Sequence, residues 1–304
     1  MAATKLSAAE RSDRRFAALA ALPAVLTIGA LFLYPLGYAI LLSFYHLNDK
    51  MPNATRIVGL ANYLALFSDP KFIDSLLRTA VFCVFTVFGG VALAIAIAVL
   101  LNRKFHGRAL TRVLLLVPWA VPPVVNGIMW KLIFDGSYGA ANYLLMSLGF
   151  TDERIQWLAQ PELTMFVLIF AELWKLTPFL TLMVIASLQA IPANIYKAAA
   201  IDGATPWKQF WRLTLPNLKG TIMFLLIVQS MWSIKVFDSI YVLTGGSGGP
   251  AEATTTINFY AYLTTFSYLD RGYGAAMSIG IMAIVCLVAV FWVLVLGRDR
   301  KDVS

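Results

Sequence analysis

Seven side chains with chemical potential stand inside apolar stretches of this chain: Glu172, Lys175 and Phe179 in one, Gln229, Trp232, Ser233 and Asp238 in another. Glu172, Lys175, Leu176 and Phe179 follow i, i+3, i+4, i+7 and so share one helix face; Gln229, Trp232, Ser233 and Val236 do the same, with Lys235 and Asp238 close by. A solute rich in hydroxyls wants carboxylate and amide partners for its O–H groups and an aromatic plane for its C–H face. Glu172, Gln229, Ser233, Trp232 and Phe179 supply that set, and ionisable groups inside membrane-length apolar runs mark solute paths by default. A second reading stays open, because Glu172 with Lys175 and Lys235 with Asp238 are each spaced to neutralise one another as an i, i+3 ion pair. Nothing points to catalysis or to a metal. His46 and His106 fall at opposite ends of the apolar runs, and Cys83 and Cys286 stand alone inside theirs.

The elements that must position these residues are membrane helices. Of 304 residues, 60% are hydrophobic and 13% charged, about half the charge of a soluble domain. Six stretches, roughly 16–45, 79–101, 110–134, 163–190, 219–243 and 273–297, reach the ~20 residues that cross a bilayer. The first is too long for the core of a signal peptide and no small-residue cleavage site ends it, so it is expected to be retained. Prolines interrupt several runs: Pro23 and Pro35, then Pro118, Pro122 and Pro123, then Pro178. Such breaks are tolerated where neighbours satisfy the freed carbonyls.

The net charge of +8 comes from Lys and Arg in short connections rather than from one basic face, which argues against nucleic acid. Fifteen of them lie in the amino-terminal arm, the second-to-third and fourth-to-fifth connections and the tail, against six in the alternate loops. By the positive-inside rule both termini are cytoplasmic. The expected organisation is a cytoplasmic arm (1–15), a six-helix domain (16–297) and a cytoplasmic tail (298–304).

One cytoplasmic connection, 192–216, reads as a helix–turn–helix. Pro192 opens a helix that Ala198, Ala199 and Ala200 propagate, Gly203 ends it in the left-handed conformation, and Thr205-Pro206 cap a second helix that Pro216 is expected to stop. Trp207, Phe210 and Trp211 on that second helix make a docking surface, or alternatively an amphipathic turn resting on lipid headgroups. The glycine run Gly245-Gly246-Ser247-Gly248-Gly249-Pro250 is no phosphate cradle, since it lacks the following Lys and Ser or Thr.

The same connection resembles the E-A-A-x-x-D-G-A-x5-F-x-x-[IL]-x-L-P signature of permease subunits in binding-protein-dependent ABC importers. Ala198, Ala199, Asp202, Gly203, Ala204, Phe210, Leu213, Leu215 and Pro216 match at the family spacing, with Lys197 where the signature has Glu. Further stretches resemble the sugar branch, the maltose, trehalose and glycerol-3-phosphate type: Tyr34-Pro35-Leu36-Gly37-Tyr38, Gly59-Leu60-Ala61-Asn62-Tyr63, Phe237 to Gly246, and Gly272 to Ser278. The resemblance covers about residues 16–297. It implies an all-α integral membrane permease with six transmembrane helices and a cytoplasmic coupling loop, in a bacterial or archaeal cytoplasmic membrane. It also implies that Lys197, Ala198, Ala199, Asp202, Gly203, Ala204, Phe210 and Pro216 meet an ATP-binding-cassette ATPase dimer. ATP and Mg would be held by that partner, with no cofactor on this chain. The other implied partners are a second, unlike permease and an extracytoplasmic solute-binding protein. The cargo would be a di- or oligosaccharide or glycoside, with glycerol-3-phosphate or another polyol phosphate as the alternative. A gradient-driven carrier is less consistent, because no internal repeat is visible and the cytoplasmic helical pair would go unexplained. A membrane enzyme would need an acid/base or metal cluster that the sequence lacks.

Overall fold

The computed structural model describes residues 8–103 and 105–297. The basic residues Lys5, Lys104, Arg298, Arg300 and Lys301 counted above therefore lie outside the described residues, as do the start of the arm and the whole of the tail. The chain divides into two compact units, 8–65 with 264–279 and 66–263 with 280–297.

In the first unit, helix α1 (Ala8–Ile28) passes through a wide π-turn (Gly29–Leu33) into α2 (Tyr34–Ser43). Leu19–Ser43 is long and apolar enough to cross a membrane, and none of its most apolar window is buried. Beyond it, strands β1 (Tyr45–His46) and β2 (Arg56–Ile57) pair antiparallel. The asparagine of the Gly59–Tyr63 motif closes the helix end: Asn62 Nδ2 donates to the carbonyls of Ser43 (2.8 Å) and Tyr45 (2.9 Å). Asn62 lies in the first turn of α3 (Ala61–Leu66) together with Tyr63, whose hydroxyl meets Ser43 Oγ at 2.5 Å. Arg271 pairs with Asp49 at 2.6 Å in the same unit.

The second unit holds the core. Helix α4 (Pro70–Cys83), a π-turn (Val84–Phe88) and α5 (Gly89–Leu101) form one 32-residue span. At 1.5 Å per residue it runs to about 48 Å, well beyond the ~30 Å hydrocarbon layer. Its start at Pro70 lies outside the run predicted from residue 79, because Asp69 caps it by accepting from Lys71 N at 2.9 Å. Helix α10 (Pro161–Ala190) is unbroken despite Pro178 and packs along the Val84–Phe88 π-turn and α5 in a cluster of Val87, Val91, Ala94, Ala98, Leu180, Val184 and Leu188. Helix α17 (Arg271–Gly297) is the last span.

Two predicted spans are not continuous. The third consists of α6 (Arg108–Leu115) and α7 (Val117–Ala120), then α8 (Pro123–Ile133), bent from the preceding pair by 93°. Val121 and Pro122 are extended, since Pro122 and Pro123 each disfavour helical geometry in the residue before them. The fifth predicted run is also broken: α14 (Lys219–Ile234) ends, Lys235 to Phe237 are non-helical, and α15 (Asp238–Leu243) begins. Counting Arg108–Ala120 with Pro123–Ile133, and Pro206–Asn217 with Lys219–Ile234, as one crossing each, the described residues contain up to six membrane spans, four of them single helices. Short helices α9 (Ala140–Ser147) and α16 (Ile257–Tyr262) belong to the connections.

The loop between the fourth and fifth spans is helical, as expected, with one correction. Helix α11 (Ala193–Ile201) leads to α12 (Pro206–Gln209), a π-turn (Phe210–Thr214) and α13 (Leu215–Asn217). Pro216 does not stop this helix. It sits at the start of a further turn, where its missing N–H does no harm, and the 64° bend into α14 falls at buried Leu218.

Candidate functional site

The two breaks meet. A cavity of about 480 Å³ is lined from one side by Trp119 to Pro123 and from the other by Trp232, Ser233 and Lys235 to Ser239, with Glu172, Lys175 and Leu176 of α10 between them and Phe82 behind. Irregular backbone at membrane depth survives only where it is satisfied or lines a cavity. Here it is satisfied: Asn258 Nδ2 donates to the Lys235 carbonyl at 3.0 Å and Thr256 Oγ1 to that of Val236 at 3.5 Å.

Glu172 is 6% exposed and accepts a hydrogen bond from Ser239 Oγ, which ties α10 to the start of α15. The two ion pairs that the spacing left open do not form among the described residues. Neither Glu172 with Lys175 nor Lys235 with Asp238 is a salt bridge there; Lys175 and Asp238 act on Glu172 only through their charge. For the second pair the reason is that the helix stops before Lys235, so the i, i+3 geometry with Asp238 is lost. Ser233 Oγ lies 2.8 Å from Thr86 Oγ1, which fixes α14 against the π-turn of the second span. Trp232 packs on Phe179 (ring centroids 5.6 Å apart), and Phe179 stacks on Trp119 at 5.5 Å with planes 18° apart.

Thus Glu172, Lys175, Trp232, Ser233 and Asp238 share one wall system, and Phe179 backs the tryptophans. Gln229 does not belong with them. It is fully buried, away from the cavity lining, and both its amide oxygen and nitrogen lack partners among the described residues. Sequence reasoning missed Trp119, the Val121–Pro123 turn and Ser239. The proline cluster was a usable signal for the first two, because a broken membrane helix tends to line a binding site; Ser239 had none.

In the connection 192–216, a helix-ending motif is closed by Ala204 N donating to Ala199 O (2.9 Å) and Gly203 N to Ala200 O (3.1 Å), with Gly203 at φ +76°. Thr205 Oγ1 caps α12 by accepting from Lys208 N at 3.4 Å, and Tyr196 Oη reaches Thr214 Oγ1 at 3.1 Å across the two helices. Trp207 is 70% exposed and Trp211 50%, and both rings pack on Phe210. A rigid, bonded pair of helices thus presents an aromatic knob.

Residues 90–302 match the family model described as binding-protein-dependent transport system inner membrane component. The chain belongs to that family. Curated relatives of this inner-membrane component include the trehalose/maltose transport system permease protein of Thermococcus litoralis, 39% identical over 245 residues, 81% of each chain. The sulfoquinovosyl glycerol transport system permease protein of Agrobacterium fabrum is 34% identical over 94% of this chain and 92% of its own. The trehalose transport system permease protein of Mycobacterium tuberculosis is 30% identical over 94% and 90%. Among solved structures, a chain of a bacterial ABC transporter involved in alginate import has the same fold, with a TM-score of 0.81, 22% identity, and 95% of this chain and 97% of that one covered.

Proposed function

We propose that this inner-membrane component is a permease subunit of an ATP-driven importer, and that its cargo is a carbohydrate, a glycoside or a di- or oligosaccharide, handed over by an extracytoplasmic binding protein. The observation that carries the reading is the cavity between two broken spans, where one buried carboxylate, two amines, two serines and two tryptophans converge. Glu172 would accept from sugar hydroxyls, Trp232 would cover a C–H face, and Asp238, Lys175 and Ser233 would complete the polar lining. Support for the cargo class comes from the sugar transport systems to which its relatives belong.

The turning of ATP hydrolysis into access changes is assigned to the loop 192–216. Phe210, with Trp207 and Trp211, would fill a cleft of the ATPase, which carries ATP and Mg²⁺. Asp202, Gly203 and Ala204 hold the turn, and Lys197, Ala198 and Ala199 the first helix. A second, unlike permease completes the membrane pathway, and both termini are cytoplasmic.

Uptake by reconstituted transporter tests the site. Losing one charge-assisted hydrogen bond removes about 1.5–3 kcal/mol, so Glu172→Ala is expected to weaken uptake by about tenfold or more, with a raised half-saturation, and Trp232→Ala similarly. Both variants behaving as wild type would remove the site. A second reading, an anionic glycoside, is favoured by Lys175 and Lys235, which line the cavity without salt bridges among the described residues. In that case Lys175→Gln and Lys235→Gln depress uptake of an anionic glycoside and spare a neutral one.

A further inference from the structure

We propose that Arg112 is a positioning residue that makes the inner half of the broken third span move as one body with α10. The proposal rests on the importer reading above. Arg112 is on α6, which otherwise offers no buried residue to hold it. One guanidinium nitrogen donates to the carbonyl of Leu101, the last residue of α5, at 3.2 Å. With the Gln189 amide turned so that its oxygen faces the guanidinium, that oxygen accepts from both Arg112 terminal nitrogens at 3.1 Å. Arg112 Nε is shut away from solvent without an acceptor. The fork is therefore held by acceptors on two different helices, and its geometry is one that lysine cannot copy.

Gln189 stands at the foot of α10, three residues before Pro192 opens the coupling loop. Seven residues on from Arg112, about 10 Å along a helix, Trp119 stacks on Phe179 of the same α10. The inner half-span is thus clamped to α10 at both ends. Its outer half, α8, packs on α15, where a Cβ on Gly127 would come within 3.0 Å of Val242 Cβ, and meets α10 through Trp130 against Phe170 and Trp174. The 93° break at Val121–Pro122 separates the two halves and lies on the cavity wall. A stroke arriving at the loop would pass through Gln189 and Arg112 into α6 and α7, and shift Trp119 and Val121 on the cavity wall. Opening the cavity then depends on the clamp, while ATP hydrolysis does not.

The test uses the full transporter in vesicles with its binding protein, reading solute moved per ATP hydrolysed. Arg112→Ala and Gln189→Ala are each expected to lower that ratio at least fivefold, with ATP hydrolysis stimulated by loaded binding protein kept within twofold. The double variant is expected to be no worse than either single one, and Gln189→Glu, which preserves the fork, to keep the ratio. If Arg112→Ala prevents assembly, Gln189→Ala and Arg112→Lys carry the same expectation. A ratio within twofold of wild type in these variants, or losses that multiply in the double variant, overturns the proposal while leaving the importer reading intact. A wild-type transporter without ATP-driven uptake would overturn both.

Discussion

Glu172 is a buried carboxylate on the cavity wall that accepts from Ser239 and forms no salt bridge with Lys175 among the described residues. Gln229 is the opposite case, a polar side chain whose helix position suggested the site but whose amide is sealed in the core without a partner among the described residues. A buried amide left unpaired carries a penalty of about 1–3 kcal/mol. Gln229→Leu is therefore expected to raise the unfolding free energy in detergent by that order and to leave uptake within about twofold. A collapse of uptake would mean that the amide meets solute in another state of the cycle. The helical register of Glu172, Lys175 and Trp232 was legible from spacing. The exclusion of Gln229 was not, because spacing places a residue on a face without saying which neighbour covers that face.

At the scale of elements, the break in the third span was written in Pro122-Pro123, whereas that in the fifth was not. Between Ile234 and Asp238 there is neither proline nor glycine, and the break persists because Asn258 and Thr256, some twenty residues on, take over the freed carbonyls. Such long-range compensation leaves no local trace. The coupling turn was legible in full because its determinants are local. Gly203 is at φ +76°, and a Cβ added to it would find open space to 4 Å, so a side chain there meets strain but no clash. Gly203→Ala is expected to lose about 1–2 kcal/mol of turn stability and to co-purify with less ATPase, and Gly203→Asn, which tolerates the left-handed region, to retain more; equal retention by both would argue that the turn does not set docking. The connection after α8 carries a pH-dependent cap. Asp135 accepts from the backbone N–H of Ser137 (2.8 Å) and Tyr138 (3.1 Å), and these bonds hold its carboxyl below the ordinary value. Because the folded group is the stronger acid, the cap is fully present above about pH 4, the unfolded value, and weakens as pH falls through the lower folded one. Amide exchange at Ser137 and Tyr138 should accelerate across that acid window beyond the intrinsic pH effect, and Asp135→Asn should abolish the difference.

For the molecule as a whole, the unequal placement of Lys and Arg is what supports the proposed cytoplasmic placement of the loop 192–216. Fifteen basic residues flank one set of span ends and six the other, a bias that fixes orientation when it falls in short connections. In the orientation proposed above, the aromatic knob of Trp207, Phe210 and Trp211 faces the cytoplasm, where ATP is made, and the connection carrying Asp135, Asp152 and Glu153 faces outward. The countervailing feature is the first outer loop, with Lys50, Arg56, Lys71 and Arg78 of its own, but Lys71 is neutralised by Glu252 at 2.9 Å and Arg78 lies 4.0 Å from the same carboxylate. In a background with Cys83 and Cys286 replaced by Ala, Asp152→Cys should react with a membrane-impermeant thiol reagent added to intact cells. Lys197→Cys should react only once the membrane is opened. The reverse pattern would place the loop 192–216 outside, beyond reach of any cytoplasmic ATPase, and with it the ATP-driven mechanism would fail.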